Sequence, residues 1–256
     1  MSEEVKTEQK KVIKKDPRAK LKKPKGNLLI LKSSPHLKSD YSIKKVMQGV
    51  LFALLPATIF GVVIFGLRSL LMIGVGILSA VLTELIFNYI SKKEFKISEG
   101  TSVLTGLLLV LTLPPSFPIP GVILGSVVAI FIGKMIFGGM GYNIFNPALI
   151  GRAFLQASYP TAITTWTLPK NAGIDAVTGA TPLGLFKFEH TMTTIKEIFL
   201  GNVGGCIGET SALLILLGGI FILIKKYADW RIPLSYIGTV FLLGGLFWLI
   251  DPVQYP

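Results

Sequence analysis

The feature that most limits the fold of this chain is its set of apolar runs. Several of them are close to the length that crosses a lipid bilayer. A bilayer crossing needs about 20 apolar residues. Charged residues make up only 16% of the 256 residues, against about 25% in soluble domains. The sequence therefore predicts an all-α polytopic membrane protein. Its seven apolar segments lie at about 46–66, 69–90, 101–113, 121–137, 144–158, 208–224 and 232–250.

Two of these segments, 101–113 and 144–158, are too short to cross a bilayer unaided. The first ends at "LPPSFPIP", a proline cluster that cannot continue a helix. Pro56, inside segment 46–66, supplies no N–H group and should kink that helix. Non-helical backbone at membrane depth is tolerated only inside protein or beside a water-filled cavity. Discontinuous helices of this kind often mark a site near the bilayer midplane.

The distribution of Lys and Arg predicts the orientation. Residues 1–45 hold 14 of the 26 Lys and Arg residues, and 20 fall on the side of this tail if every segment crosses. The positive-inside rule then makes the tail cytoplasmic and the loop 159–207 extracytoplasmic, in a multi-pass protein of the cytoplasmic (inner) membrane. This assignment depends on segment 144–158 crossing. We interpret the tail as a contact with anionic membrane lipid rather than with nucleic acid.

Residues that could bind metals or clusters are few. The single cysteine, Cys206, allows no internal disulfide and no cysteine-bound iron–sulfur cluster within the chain. His36 and His190 lack metal-ligand spacing, so we expect both to be solvated and predict no metal site. "GGMGYN" is not flanked by a βαβ unit and is therefore no dinucleotide-binding fingerprint.

A small polar turn, "DAVTGATPLG" at 175–184, stands out in the long loop. A threonine hydroxyl is a weak nucleophile without help, and a modifying enzyme needs it exposed. Gly179 and Ala180 leave the approach to Thr181 unhindered, and Pro182 stiffens the exit of the turn. These features suit an acceptor for covalent attachment, and they also suit an ordinary loop. In either case Thr181→Val should lower the free energy of unfolding by no more than about 0.5 kcal/mol, as substitutions in exposed loops usually do. The residues of interest are Asp175, Thr178, Gly179, Ala180 and Thr181.

Those five residues match the D-x-x-[S/T]-G-A-T acceptor motif of bacterial flavin transferases, in which the last threonine receives FMN from FAD through a phosphoester bond. The motif recurs in the B and C subunits of sodium-pumping NADH:quinone oxidoreductase and in the D and G subunits of Rnf complexes. Residues 34–66, 138–160, 175–183 and 205–219 resemble the Rnf D subunit, and the likeness covers nearly everything after residue 27. The quinone-reductase B subunit is the main alternative within the family.

The resemblance implies a subunit of a translocase that moves electrons between ferredoxin and NAD and couples this to Na⁺ or H⁺ movement. It implies covalent FMN at Thr181, with Asp175, Thr178, Gly179 and Ala180 as the rest of the motif, and a second, non-covalent riboflavin. Other Rnf subunits and a flavin transferase would be its partners. NAD and iron–sulfur chemistry would lie on those subunits, so this chain would be catalytically incomplete alone.

Members of this family are expected to have about ten membrane helices in two inverted halves. The chain then divides into a basic cytoplasmic tail (1–45), a first transmembrane half (46–158), the motif loop (159–207) and the start of a second half (208–256). By this expectation the second half is cut short after the seventh segment.

Several polar residues in or near the apolar segments are further site hypotheses, because intramembrane charge is costly and usually functional. Glu84 and Arg152 have an alternative interpretation, in which they lie near helix ends and extend to the interface. For Asn143 and Asn146 the alternative to a site role is helix capping. For the glycines of 201–210 the alternative is close helix packing. The residues proposed for a second flavin or an ion path are Lys134, Asn143, Asn146, Arg152 and Glu209.

A rival function is that of a transporter or channel for a small solute, since broken helices and inverted repeats are transporter devices. The two functions differ in one simple observation. A redox subunit should be yellow and fluoresce as a denatured band, whereas a transporter should be colourless.

Overall fold

The computed structural model describes residues 42–92, 100–168, 179–201, 203–209 and 211–250. Within these ranges the secondary structure is helical, which confirms the all-α prediction. A π-helical turn, Phe131–Met135, directly follows the helix Ile119–Ile130. The helices are α1 (Ile43–Phe65), α2 (Leu67–Ile90), α3 (Thr101–Leu111), α4 (Ile119–Ile130), α5 (Pro147–Ser158), α6 (Pro160–Thr164), α7 (Pro182–Glu189), α8 (Ile195–Leu200), α9 (Ala212–Ile224) and α10 (Arg231–Ile250).

The apolar helices overlap the predicted segments and make this a multi-pass membrane protein. In the described part of the chain, α1, α2 and α10 are long and apolar enough to cross a membrane, and α3, α4 with its π-turn, and α9 are shorter apolar helices. At 1.5 Å per residue, α3 and α5 extend only about 16 to 18 Å, against about 30 Å of hydrocarbon. Both are therefore too short to span alone, as the sequence predicted. α1 continues through Pro56 without a break.

Glycines allow α2, α3, α4 and α5 to pack closely around one apolar core. A Cβ atom added at Gly106 would lie 2.7 Å from the carbonyl oxygen of Gly76, and one added at Gly151 would lie 2.7 Å from that of Gly125. Small residues at such crossings bring helix backbones into contact, which is how membrane helices gain packing energy. Fully buried side chains in this core are Met72, Leu109, Leu113, Phe117, Val122 and Leu155.

One end of this bundle, called the loop end here, is defined by contacts of the proline cluster. Arg68, in the first turn of α2, donates a 3.0 Å hydrogen bond to the carbonyl oxygen of Ser116, which follows α3. The ring of Phe117 packs edge-on against Tyr159, just after α5. The start of α2, the end of α3 and the end of α5 therefore lie together.

The opposite end, called the tail end, contains the start of α1. There, a Cβ at Gly133 would lie 2.7 Å from the Cα of Pro147, so the end of α4 meets the start of α5. α9 packs antiparallel to α1, with Gly218 against Ala53 and Tyr227 against Gly49. Because α5 runs antiparallel to α4, the chain that follows α5 lies at the loop end.

Three features of the fold were not predicted. The loop 159–207 contains the short helices α6, α7 and α8, and the π-turn interrupts the fourth apolar segment. The fifth and sixth segments become helical only at Pro147 and Ala212, later than predicted. The predicted tail 1–45 lies almost entirely outside the described residues, and the second half is described only as far as residue 250.

Candidate functional site

Thr181 occupies the N-cap of α7. Its Oγ1 accepts a hydrogen bond of 3.2 Å from the backbone N–H of Gly184, and Pro182 takes the first helical position, where its missing N–H is not needed. The Thr181 side chain is partly exposed. Oγ1 therefore uses one lone pair for the cap, and its own proton remains free for transfer to another group.

Gly179 packs closely against Leu168. Its N–H donates to the carbonyl oxygen of Trp166 at 3.0 Å. A Cβ added there would lie 2.6 Å from the Cγ atom of Leu168. That Gly179 opens the approach to Thr181 stays a prediction, and Ala180 is exposed. The motif residues Asp175 and Thr178 lie outside the described residues.

A cavity of about 290 Å³ lies beside Thr181, and the neighbouring residues Ala180 and Pro182 form part of its wall. The segment 191–194, which joins α7 to α8, supplies four of the other lining residues, and the rest come from α7, α8, the turn after α8 and Leu168. Its volume lies at the lower end of the usual range for small-molecule sites, about 300–1,000 Å³. The lining combines apolar and polar side chains, among them Leu168, Leu185, Met192, Thr193, Glu197 and Val203.

A turn of residues 206–208 attaches the motif loop to the end of α3. The thiol of Cys206 donates to the carbonyl oxygen of Thr112 at 3.0 Å. The N–H groups of Ile207 and Gly208 donate to the carbonyl oxygens of Leu113 and Leu111 at 3.1 and 2.8 Å. These bonds satisfy carbonyls that a helix end leaves without partners. The proline cluster therefore ends α3, and the motif loop caps it.

Arg152 and Glu209, two of the predicted site residues, meet at Cys206. The charges of both side chains act on its thiol. Burial, reinforced by the negative charge of Glu209 and opposed by Arg152, raises the pKa of Cys206 to about 12. The thiol is therefore neutral at physiological pH, as its role as a hydrogen-bond donor requires. Sequence reasoning identified the two charges but did not connect them with Cys206.

Lys134, another predicted site residue, lies in a separate cluster at the tail end. Its ammonium group donates to Glu84 Oε1 at 2.7 Å, to Thr101 Oγ1 at 2.6 Å and to Ser102 Oγ at 3.2 Å. Only 3% of the Lys134 side chain is exposed, and 18% of that of Glu84. Lys134 therefore pairs with a carboxylate. Glu84 pairs with Lys134, and its alternative position at the membrane interface stays a prediction.

The asparagines and the described histidine take ordinary structural positions. Asn146 caps α5, accepting a 3.1 Å bond from the N–H of Ala148, which confirms the capping alternative. Asn143 donates to the carbonyl oxygen of Phe145 at 3.0 Å within a turn. His190 is exposed at the end of α7, as predicted, while His36 lies outside the described residues.

Comparison with known proteins assigns the chain to a family. Residues 30–256 match the model of the NQR2, RnfD, RnfE family. The chain is 45% identical over 233 residues to the D subunit of the proton-translocating ferredoxin:NAD(+) oxidoreductase complex of Clostridium ljungdahlii, covering 87% of this chain and 70% of that protein. It is 42% identical over 217 residues to the D subunit of the Na(+)-translocating ferredoxin:NAD(+) oxidoreductase complex of Acetobacterium woodii, covering 83% and 67%.

A third relative, from Stutzerimonas stutzeri, is named as the D subunit of an ion-translocating oxidoreductase complex. It is 36% identical over 243 residues, covering 82% of this chain and 69% of the relative. All three are D subunits, as the sequence resemblance implied. This chain belongs to the NQR2, RnfD, RnfE family and is a D-type subunit within it.

Proposed function

We propose that this chain is the D-type membrane subunit of an ion-translocating ferredoxin:NAD⁺ oxidoreductase complex, and that Thr181 carries covalent FMN through which electrons pass between partner subunits. The names of the relatives support the first part. The capping geometry of Thr181, a partly exposed hydroxyl at a helix N-terminus beside a cavity, is the observation that carries the second part.

The N-terminus of α7 suits a phosphodiester. The first N–H groups of a helix lack intrahelical partners and carry partial positive charge, which favours an attached anion. A phosphoester on Thr181 would place its negative charge at this end of the eight-residue helix. A hydroxyl elsewhere in the loop, without a helix after it, would receive no such stabilisation.

The cavity beside Thr181 suits an aromatic ring with polar edges. Leu168, Leu185 and Met192 supply apolar contacts, and Thr193 and Glu197 supply hydrogen-bonding groups. Bound flavin would supply the electron-accepting and electron-donating chemistry. The protein residues bind the ring, orient it and shield part of it from water.

Attachment requires a donor and a transferase. The Thr181 oxygen attacks the FMN phosphorus of FAD, a new P–O bond forms, the bond within the diphosphate breaks, and AMP leaves with its electron pair. The hydroxyl proton passes to a base of the transferase. Thr181 is exposed enough for such an approach, since its neighbour Ala180 is also exposed.

The same arrangement supports a proposed orientation in the membrane. The motif loop lies at the end of the bundle opposite the first turn of α1, and the basic stretch around Lys225 and Lys226 lies at the tail end beside Gly49. With the basic end cytoplasmic, the proposed FMN lies towards the extracytoplasmic side. Electrons would therefore need further carriers, such as the riboflavin that the resemblance implies and the centres of partner subunits.

The alternative, a transporter for a small solute, is disfavoured because the relatives are named as subunits of oxidoreductase complexes. Four forms of the protein, produced in cells that contain the flavin transferase, test the proposal: the wild type, Thr181→Ser, Thr181→Asn and Thr181→Val. The readout is ultraviolet fluorescence of the denatured band. The wild type should fluoresce, and Thr181→Asn and Thr181→Val should not.

Thr181→Asn is the decisive variant, because asparagine caps helices well but offers no hydroxyl for the ester. Thr181→Val also removes the helix cap, which should lower the free energy of unfolding by about 1 kcal/mol. This cost is larger than the one expected from the sequence alone. Thr181→Ser keeps both the cap and the hydroxyl and serves as the matched control. A fluorescent Thr181→Asn band would refute the attachment site.

A further inference from the structure

A second cavity lies at the tail end, in the turn that joins α9 to α10. Its volume is about 430 Å³, and residues 223 and 226–230 form its walls. This volume is within the usual range for small-molecule sites, about 300–1,000 Å³. The cavity lies at the opposite end of α9 from the motif loop, so the proposed flavin does not account for it.

The charge around this cavity is positive. The stretch 225–231, "KKYADWR", holds three basic residues and one acidic residue, and it is called the basic turn here. Lys226 lines the cavity. The guanidinium of Arg231 lies 5.9 Å from the centre of the Trp230 ring, which forms another part of the wall. Asp229, also in the wall, accepts a 3.0 Å hydrogen bond from the backbone N–H of Arg231. The surplus of positive charge therefore favours an anionic ligand.

Lys226 occupies a position that suits glycine better. Its φ is 56°, in the left-handed region, which glycine adopts freely and which is costly for a residue with a Cβ atom. It directly follows Lys225, the C-cap of α9, and helices commonly have glycine at this position. An unfavourable backbone conformation of this kind motivates a functional hypothesis. Lysine here keeps a charge at the cavity that glycine would remove.

The basic turn lies where two apolar helices reach the surface of the membrane. α9 ends at Ile224 and α10 begins at Arg231, and Ile224 and Ile232 on either side of the turn are exposed. Trp230 is exposed and Tyr227 partly exposed, and these two residue types are enriched at the membrane–water interface. Basic pockets between membrane helices bind the headgroups of anionic lipids. The exposed isoleucines add apolar surface that a soluble anion would not use.

We propose that this cavity binds the headgroup of an anionic phospholipid such as phosphatidylglycerol. Lys226 and Arg231 bind the phosphate, and the rings of Tyr227 and Trp230 lie beside the glycerol. The acyl chains pack against the exposed apolar side chains of α9 and α10. Among the described residues α10 has no buried side chain, so the bound lipid supplies a contact that holds its first turn beside α9.

Native mass spectrometry of the purified protein, released from a neutral detergent, tests the site by counting bound lipid molecules. The wild type should bind one phosphatidylglycerol molecule more tightly than phosphatidylcholine. Lys226→Gly should weaken the binding of phosphatidylglycerol by about fivefold, the contribution of one basic residue near anionic lipid. Glycine fits the left-handed backbone, so this variant should resist unfolding by SDS at least as well as the wild type. Lys226→Asn is a second variant, because asparagine also tolerates this conformation.

Lys92→Gly is the matched control. Lys92 also has a left-handed backbone, with φ at 50°, and it follows the C-cap of α2 at the same end of the bundle. It does not line this cavity, so its replacement should leave the affinity for phosphatidylglycerol unchanged. Equal weakening in Lys92→Gly and Lys226→Gly would show only general attraction to surface charge and would overturn the proposal. Displacement of the lipid by an equal concentration of free glycerol 3-phosphate would refute a lipid as the ligand.

A second measurement uses the assembled complex in its membrane. A phosphatidylglycerol that carries a photoactivatable group close to its headgroup should crosslink to residues 220–235, and peptide mass spectrometry locates the crosslink. The yield should fall in Lys226→Gly and stay the same in Lys92→Gly. If the lipid crosslinks elsewhere in the complex but not to this segment, the cavity is covered by another subunit and the proposal is wrong.

Discussion

Gly106→Ala should weaken the packing of α2 against α3. A Cβ at this position would lie 2.7 Å from the carbonyl oxygen of Gly76 and 2.9 Å from the Cα of Ile77. Both are backbone atoms of α2, so no side-chain rotation can relieve the contact. The two helices must move apart, and the neighbouring core contacts of Val110 must loosen with them.

Two opposing contributions set the expected change in the free energy of unfolding: overpacking and helix propensity. Overpacking a tight site typically costs about 1–3 kcal/mol, whereas alanine is favoured over glycine inside a helix by about 1 kcal/mol. Gly74→Ala, on the exposed face of α2, is the matched control, because a Cβ there meets nothing within 4 Å. The gain in helix propensity from glycine to alanine is the same in both variants. The difference between them should therefore be about 1–3 kcal/mol, with Gly106→Ala the less stable.

The assay is unfolding of the purified protein by increasing mole fractions of SDS in mixed micelles, followed by tryptophan fluorescence. The wild type should unfold between the two variants, or close to Gly106→Ala if overpacking costs only about 1 kcal/mol. If Gly106→Ala unfolds at the same SDS mole fraction as Gly74→Ala, or later, the close crossing of α2 and α3 is wrong.

Two further predictions concern topology and the cysteine. In a Cys206→Ser background, Ser91→Cys should react with an impermeant maleimide only from the cytoplasmic side. Glu189→Cys should react only from the outside. Labelling of both cysteines from one side would refute the assigned orientation. Native Cys206 should resist maleimide between pH 7 and 9 and react after SDS denaturation, because burial and the charge of Glu209 hold its pKa at about 12. Rapid labelling of the folded protein would contradict its burial.

The apolar helices could be predicted from the sequence because bilayer crossing imposes a length and a composition that are visible in any one segment. The end of α3 was equally visible, since prolines cannot continue a helix. Asn146 before Pro147 marked the start of α5 for the same local reason. The helices α7 and α8 were not predicted, since each is short and has no buried residue to impose a hydrophobic period.

The two charged clusters show what a single sequence leaves out. Lys134 and Glu84 are 50 positions apart, and only the packing of α4 on α2 brings them together. Thr101 and Ser102 look like ordinary first-turn residues of a helix until Lys134 is placed beside them. The contact of Cys206 with Thr112 spans 94 positions. Such partners depend on tertiary structure, so local patterns carry no signal for them.

Peptide mass spectrometry of the native protein tests the central claim most directly. The peptide that contains residues 171–187 should carry the mass of FMN less one water, and fragmentation should place this mass on Thr181. The unmodified peptide should be the form recovered from cells that lack the flavin transferase. An unmodified peptide from cells that contain the transferase, or a mass that maps to Thr178, would contradict the account.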